Sequence, residues 1–225
     1  MEMCLLSPAF NGENNPEIKN IFFCGEELTH ATAAAVKKRF PNAHVYNTYG
    51  PTETTVAVTA VEITPEVLDH YDRLPIGWPK ATAPVVLVDE NNQLVEQGKE
   101  GEIVIMGPSV SKGYINNPEK TKKAFIELDG KRAYKTGDLG QYDDNGQLLY
   151  KGRVDFQIKL HGFRIELEDV DHHLDRLDEV SQALAIPRYG ANHKVQQLIA
   201  YVVPTDKDFA SKKAELTKTI KEKLS

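Results

Sequence analysis

Apolar and polar positions change rhythm three times along the chain, and each rhythm predicts a different structure. Ile18–Cys24 (IKNIFFC) is a short apolar run that reads as a buried strand. Glu26–Phe40 places Leu28, Ala31, Ala35, Val36 and Arg39 at helical spacing, with Pro41 just beyond as a stop. Ala43–Tyr49 is a second strand, so residues 1–80 predict α/β layering that forms part of a larger parallel sheet. Over 81–153 the runs shorten to Pro84–Val88, Gly101–Met106, Leu139–Tyr142 and Leu148–Lys151. Asn91-Asn92 and Asp144-Asn145-Gly146 fall between them, and such residues tolerate positive φ, so a small antiparallel, barrel-like sheet is expected. The third rhythm gives a strand at Phe156–Leu160, an amphipathic helix at Glu166–Leu177, strands at Ser181–Ile186 and Gln197–Val203, and a Lys-rich helix at Phe209–Leu224. That is a small α+β lobe. The expected division is therefore 1–153 and 154–225, with a hinge near Arg153–Asp155. Met1–Leu6 already reads as part of an apolar helix and no Gly cap follows the last one, so both ends are expected to be cuts from a longer protein.

A chain of 225 residues suits one large domain with a small lobe. No apolar run approaches the ~20 residues that cross a bilayer, and Met1–Phe10 lacks the basic start and long apolar core of a signal peptide. A cytoplasmic protein without a transmembrane segment is expected. The net charge of −6 divides into −7 over residues 1–150 and +1 over 151–225. With no basic stripe, nucleic acid is not an expected partner. Cys4 and Cys24 have no CxxC companion and predict two buried thiols rather than a disulfide or a zinc site. His172 and His173 are adjacent, point different ways on a helix and cannot clamp one ion.

Three constellations carry chemistry. Asn47-Thr48-Tyr49-Gly50-Pro51-Thr52-Glu53-Thr54 runs off a strand end, the edge at which open α/β sheets bind ligands. There Thr52 could bond a phosphate oxygen and Glu53 the Mg²⁺ that travels with it; a plain helix start, with Thr52 as cap, accounts for the same residues. Tyr134-Lys135-Thr136-Gly137-Asp138-Leu139-Gly140 offers close backbone approach at Gly137 and two acceptor oxygens on Asp138, enough for both hydroxyls of a ribose. A Gly-Asp turn between strands is the plainer alternative. Tyr150-Lys151-Gly152-Arg153-Val154-Asp155-Phe156-Gln157-Ile158-Lys159-Leu160-His161-Gly162-Phe163-Arg164-Ile165-Glu166 loads a predicted junction with charge, which is costly unless it meets a ligand or another lobe; an edge strand with surface charge is the alternative.

Together, in order and spacing, YGPTE, the strand GEIVIMG, YKTGDLG and GRVDFQIKLHGFRIE resemble successive motifs of the adenylate-forming superfamily. FCGEEL, NTYGPTETTVAVT, VSKGY and FQIKLHGFRIELEDVD are similar, more narrowly, to its D-alanine-activating members, which load a carrier protein for teichoic acid D-alanylation. The resemblance implies an ATP- and Mg²⁺-dependent ligase that forms D-alanyl-adenylate and passes it to the phosphopantetheine thiol of a D-alanyl carrier protein. It implies an adenine pocket lined by Gly25, Glu26 and Tyr49, with Asn47 and Thr48 nearby, and a ribose held by Asp138 and Arg153. Thr52 would meet the phosphate, Glu53 the metal and Cys24 the D-alanine methyl. Asp155 becomes the hinge, and Gly162 and Arg164 line the thiol tunnel. The superfamily's phosphate loop and its late catalytic Lys have no counterpart in this sequence, so the chain alone is expected to be inactive. An acyl-CoA synthetase, or a non-catalytic piece that docks a carrier, are the competing readings.

Overall fold

A parallel pair of strands needs a crossover, and the chain supplies it within its first fifty residues. After a four-residue helix α1 (Glu2–Leu5), β1 (Asn20–Phe23) leads through α2 (His30–Arg39) to β2 (His44–Tyr49), with Ile21 opposite Val45 and Phe23 opposite Asn47. α2 begins four residues later than its apolar pattern predicts, because Thr29 caps it by accepting the Thr32 N–H. The face it buries is also shifted, to Ala33 and Val36, leaving Ala31 exposed. Past β2 come a 3-10 turn (Thr52–Thr54), β3 (Thr59–Glu62), α3 (Pro65–His70, capped by Thr64) and β4 (Trp78–Pro79). β3 and β4 add antiparallel, giving the order β1-β2-β3-β4 over a core that includes Val36, Phe40, Val45 and Ile63. β1 lies at the edge of this sheet, and Phe22, 65% exposed, stacks on Tyr46 at 4.9 Å on the face opposite that core.

The second sheet comprises β5 (Val85–Val88), β6 (Gly101–Met106), then, after α4 (Pro118–Ala124), β7 (Phe125–Leu128), β8 (Lys131–Tyr142) and β9 (Leu148–Arg153). Its order is β5-β6-β8-β7, all antiparallel, with β9 paired to the second half of β8. Asn92 (φ 59°) and Gly146 (φ 73°) take left-handed backbone at the two turns that the sequence marks. β8 corrects the sequence reading: the Leu139–Tyr142 strand is only the tail of a twelve-residue one. The Gly137-Asp138 break that separates it in the sequence is a bulge inside the strand. Both sheets belong to an α/β fold with a curved antiparallel portion.

The computed structural model describes residues 1–155, 157–160, 162–190, 195–206 and 208–223, in two compact units, Met1–Asp155 and Phe156–Ser225. The second unit contains the hairpin β10 (Gln157–Leu160) and β11 (Phe163–Glu166), α5 (Leu167–Asp175), the long hairpin β12 (Val180–Tyr189) and β13 (Val195–Pro204), and α6 (Phe209–Lys223). Ile158, Leu167 and Ala185 form its small core. Phe156 and Leu224, the first and last residues of two predicted elements, and His161 of the charged motif lie outside the described residues. β11 is not predicted, because its Phe163-Arg164-Ile165-Glu166 lies inside the charged motif. Among the described residues, no helix is long and apolar enough to cross a membrane. The expected burial of the two thiols does not hold: Cys4 and Cys24 are both exposed. Cys4 rides on the short helix α1, and Cys24 follows the last ladder residue of β1.

The turn after β2 is the tightest packing constraint on the first sheet. A Cβ on Gly50 would lie 1.6 Å from the Val56 carbonyl oxygen and 2.9 Å from the Val58 nitrogen, so no side chain fits. Thr55 and Val56 both sit at φ 65°, at roughly 1–2 kcal/mol per residue for a side chain with a Cβ. Gly50→Ala is expected to lower unfolding stability by about 3 kcal/mol, measured by chemical denaturation; a change below about 0.5 kcal/mol would refute the close approach.

Candidate functional site

One buried carboxylate of the second sheet also bonds to the first. β8 must pass Ile103 of β6 with extra residues, because Glu102 pairs with Leu139 while Val104 pairs with Lys135. The surplus forms the bulge around Thr136-Gly137, with Gly137 at φ 71°. Bulges bend a strand and re-aim its side chains, and every polar group here finds a partner. Thr136 Oγ1 donates to the Ile103 carbonyl at 2.8 Å and accepts the Asp138 N–H at 3.0 Å. Glu102 accepts the Gly137 N–H at 3.0 Å through one oxygen and pairs with Lys135 at 3.1 Å through the other. The Val154 N–H donates to the Gly137 carbonyl at 2.8 Å. Gly137 is required twice over: beyond its φ, a Cβ would lie 2.5 Å from Arg153 Nη2 and 2.8 Å from Asp155 Oδ2.

The bulge turns Asp138 into the interior, where it is 8% exposed. Its Oδ2 accepts the Tyr49 hydroxyl at 2.5 Å and its Oδ1 accepts Arg153 Nη1 at 2.7 Å. Arg153 lies directly across the ladder on β9, so register alone brings it there. The remaining edge of its guanidinium forks onto Asp155, with Nε to Oδ1 at 2.5 Å and Nη2 to Oδ2 at 2.6 Å. Burial works against the Arg153 charge, but the bond to Asp155 and the charges of Asp138 and Asp155 outweigh it and raise its pKa. Burial first, then the Asp138 charge and hydrogen bond, push the Tyr49 hydroxyl well above its ordinary value. The result is a chain of four polar side chains, Tyr49–Asp138–Arg153–Asp155, tying the end of β2 to the second sheet.

The other sequence-selected residues of the first unit surround that chain or hold it up. Thr48 Oγ1 donates to the Phe23 carbonyl at 2.7 Å, fixing the end of β1, beyond which Cys24, Gly25 and Glu26 are all exposed. Asn47 is buried and donates to the Pro75 carbonyl at 2.8 Å, so here it anchors a loop. Thr52 is exposed, and Glu53 is half-buried, its Oε1 accepting the Tyr114 hydroxyl at 2.7 Å. Tyr114 also lies 3.2 Å from the Tyr134 hydroxyl, and the Ser111 N–H donates to the Glu53 carbonyl at 2.8 Å. Burial, then the bonds to Tyr134 and Glu53, raise the Tyr114 pKa. Gly162 (φ 83°) and Arg164, exposed and opposite Lys159, belong to the β10–β11 hairpin of the second unit.

Sequence reasoning misses Tyr114, Tyr134, Glu102 and Tyr150. Tyr114 is part of the quoted VSKGY, but nothing in the motif says that its hydroxyl reaches a residue 61 positions earlier. No group of three or more His, Cys, Asp or Glu among the described residues could hold a metal, so Glu53 would serve only as one ligand of an ion brought by a phosphate.

A family model described as AMP-binding enzyme matches residues 1–115. The chain belongs to the AMP-binding enzyme family. This family member is 59% identical over 224 residues to a D-alanine--D-alanyl carrier protein ligase of Lactiplantibacillus plantarum, and 51% over 225 residues to one of Streptococcus agalactiae. The matches cover 100% and 99% of the chain but 44% of each relative, so the chain spans less than half the length of these relatives. Among solved structures it is similar to PA1221, a nonribosomal peptide synthetase protein with adenylation and carrier domains (TM-score 0.76, 32% identity, 95% of this chain and 42% of that one). It is also similar to the Vibrio cholerae adenylation domain AlmE, solved with glycyl-adenosine-5'-phosphate (TM-score 0.77, 26% identity, 92% of this chain and 39% of that one).

Five tyrosines of this AMP-binding family member, Tyr49, Tyr71, Tyr114, Tyr142 and Tyr150, hold their protons more firmly than usual; for Tyr142 burial pushes the value to about 12. The unfolded chain releases those protons near pH 10. The stability they contribute is therefore complete below about pH 10 and is lost as pH rises through their folded-state values. Denaturation midpoints should fall steeply above pH 10. Tyr49→Phe should flatten that fall while costing about 1.5–3 kcal/mol at pH 7 through the lost charged hydrogen bond. An unchanged alkaline slope in Tyr49→Phe would refute the role given to its hydroxyl.

Proposed function

We propose that the complete enzyme activates D-alanine with ATP, as D-alanyl-adenylate, and passes the acyl group to the phosphopantetheine thiol of a D-alanyl carrier protein for teichoic acid D-alanylation. This chain supplies part of the adenylating domain, residues 1–153, and part of a mobile lobe, residues 154–225. The observation that carries the reading is the Tyr49–Asp138–Arg153 chain at the carboxyl end of a parallel pair, where open α/β sheets bind ligands. The relatives named as D-alanine--D-alanyl carrier protein ligases support the choice of substrate and partner.

In this reading Asp138 accepts the vicinal hydroxyls of the ribose, exchanging bonds it now receives from Tyr49 and Arg153. Arg153 stays beside it and contributes further donors. Tyr49 presents its ring to the base, opposite Gly25 and Glu26, while nearby Thr48 holds the end of β1 and Asn47 the loop at Pro75. Thr52 binds phosphate through its exposed hydroxyl. Glu53, oriented by Tyr114, is the ligand for a phosphate-borne Mg²⁺, whose charge would stabilise the departing pyrophosphate. Cys24, exposed beyond β1, walls the methyl side of the amino acid. Asp155 is the hinge, and Gly162 and Arg164 line the thiol's approach in the transfer state. A lost charge-stabilising donor costs about 10²–10³ in rate, so the chain by itself, without the phosphate loop and late Lys, should be nearly inert.

Pyrophosphate exchange by the full-length enzyme should require D-alanine and ATP; exchange driven by a fatty acid instead would favour the acyl-CoA synthetase reading. Cys24→Ala should shift the D- over L-alanine preference by about tenfold, and an unaltered preference would remove Cys24 from the pocket. Asp155→Pro should spare adenylate formation relative to thioester transfer, whereas equal loss of both half-reactions would reject the hinge.

A further inference from the structure

The turn after β1 is tethered by a residue far from the motifs. The ladder of β1 ends at Phe23, and the chain is buried again at Leu28. Between them Gly25 takes φ 93°, the left-handed backbone that a glycine adopts most readily. Glu27 closes the turn, and its carboxylate receives a two-pronged bond from Arg73: Nε to Oε1 and Nη2 to Oε2, each at 2.8 Å. The same guanidinium lies over the Tyr150 ring, 5.0 Å from its centroid. Tyr150 and Tyr49 pack against the same buried cluster. Arg73 is therefore fixed in its plane by a carboxylate and across its plane by an aromatic face. Three segments distant in sequence are joined there: the turn after β1, the loop between α3 and β4, and strand β9.

As an ion pair it has little to offer stability. The Arg73 and Glu27 side chains are 45% and 31% exposed, and pairs of that kind contribute little. What the arrangement does is join the residue that follows the Gly25–Glu26 turn to Tyr150, whose ring packs on the same cluster as Tyr49. We propose that Arg73 is a positioning residue for purine recognition: through Glu27 it fixes the backbone of the turn against the base, and so sets how well adenine is told from guanine. This rests on the nucleotide reading above. Backbone groups read the purine edge, and a displacement of even an ångström costs affinity and selectivity together.

Calorimetric titration of the chain with AMP and with GMP separates the possibilities. Arg73→Ala should weaken AMP binding about tenfold while leaving the weaker GMP binding nearly unchanged, so that the preference collapses. Arg73→Lys should recover only part, since a lysine neither forks nor stacks flat. The double exchange Glu27→Arg with Arg73→Glu should recover more of the preference than either single change. In the full-length enzyme, Arg73→Ala should raise KM for ATP far more than it lowers kcat. An unaltered AMP-to-GMP ratio in Arg73→Ala, or an equal loss of both ligands, overturns the positioning role. If the full-length wild-type enzyme binds neither nucleotide, the nucleotide reading falls and this inference with it.

Discussion

A carboxylate at 8% exposure cannot keep its charge without partners, and Asp138 has three constraints working together to supply them. The bulge in β8 points it inward, the β8–β9 register delivers Arg153, and the first sheet contributes the Tyr49 hydroxyl. Remove the guanidinium and the buried carboxylate loses its opposite charge, a loss of about 3–5 kcal/mol. Remove the bulge and it turns elsewhere. The same three contacts that settle this charge also assemble the residues that the motifs single out. Under the proposed function, a ribose hydroxyl entering here would meet an acceptor already ordered and already stripped of most water.

How legible this was in the sequence depends on range. Turns were readable where local chemistry decides them, as at Asn92 and Gly146, whose left-handed backbone the residue types themselves favour. Strands β2, β5, β6 and β9 were readable because apolar runs bounded by turn residues report their own burial. The start of α2 was misplaced because a threonine cap, worth about 1 kcal/mol, outweighs three further residues of helical pattern. β8 was readable only in its tail, because glycine followed by aspartate looks like a turn. Only the opposing strand, through Ile103 and Glu102, shows that the ladder continues past it.

The site divides in the same way. Asp138, Arg153 and Tyr49 could be chosen from their motifs, and in the structure they are bonded to one another. Asn47 was also chosen, yet its amide bonds to Pro75 and supports a loop. The thiol of Cys24 was expected to be buried and is exposed, because the apolar run that contains it outlasts the strand by a residue. Tyr114, Tyr150 and Arg73 went unread since each acts across dozens of residues of sequence, through a hydroxyl, a ring face or a guanidinium fork that no local pattern announces.

The edge position of β1 has a practical consequence. Its outer side offers a row of backbone donors and acceptors beside an aromatic ring that water wets, a surface suited to accept one more strand. That margin is where the larger parallel sheet expected from the sequence would continue.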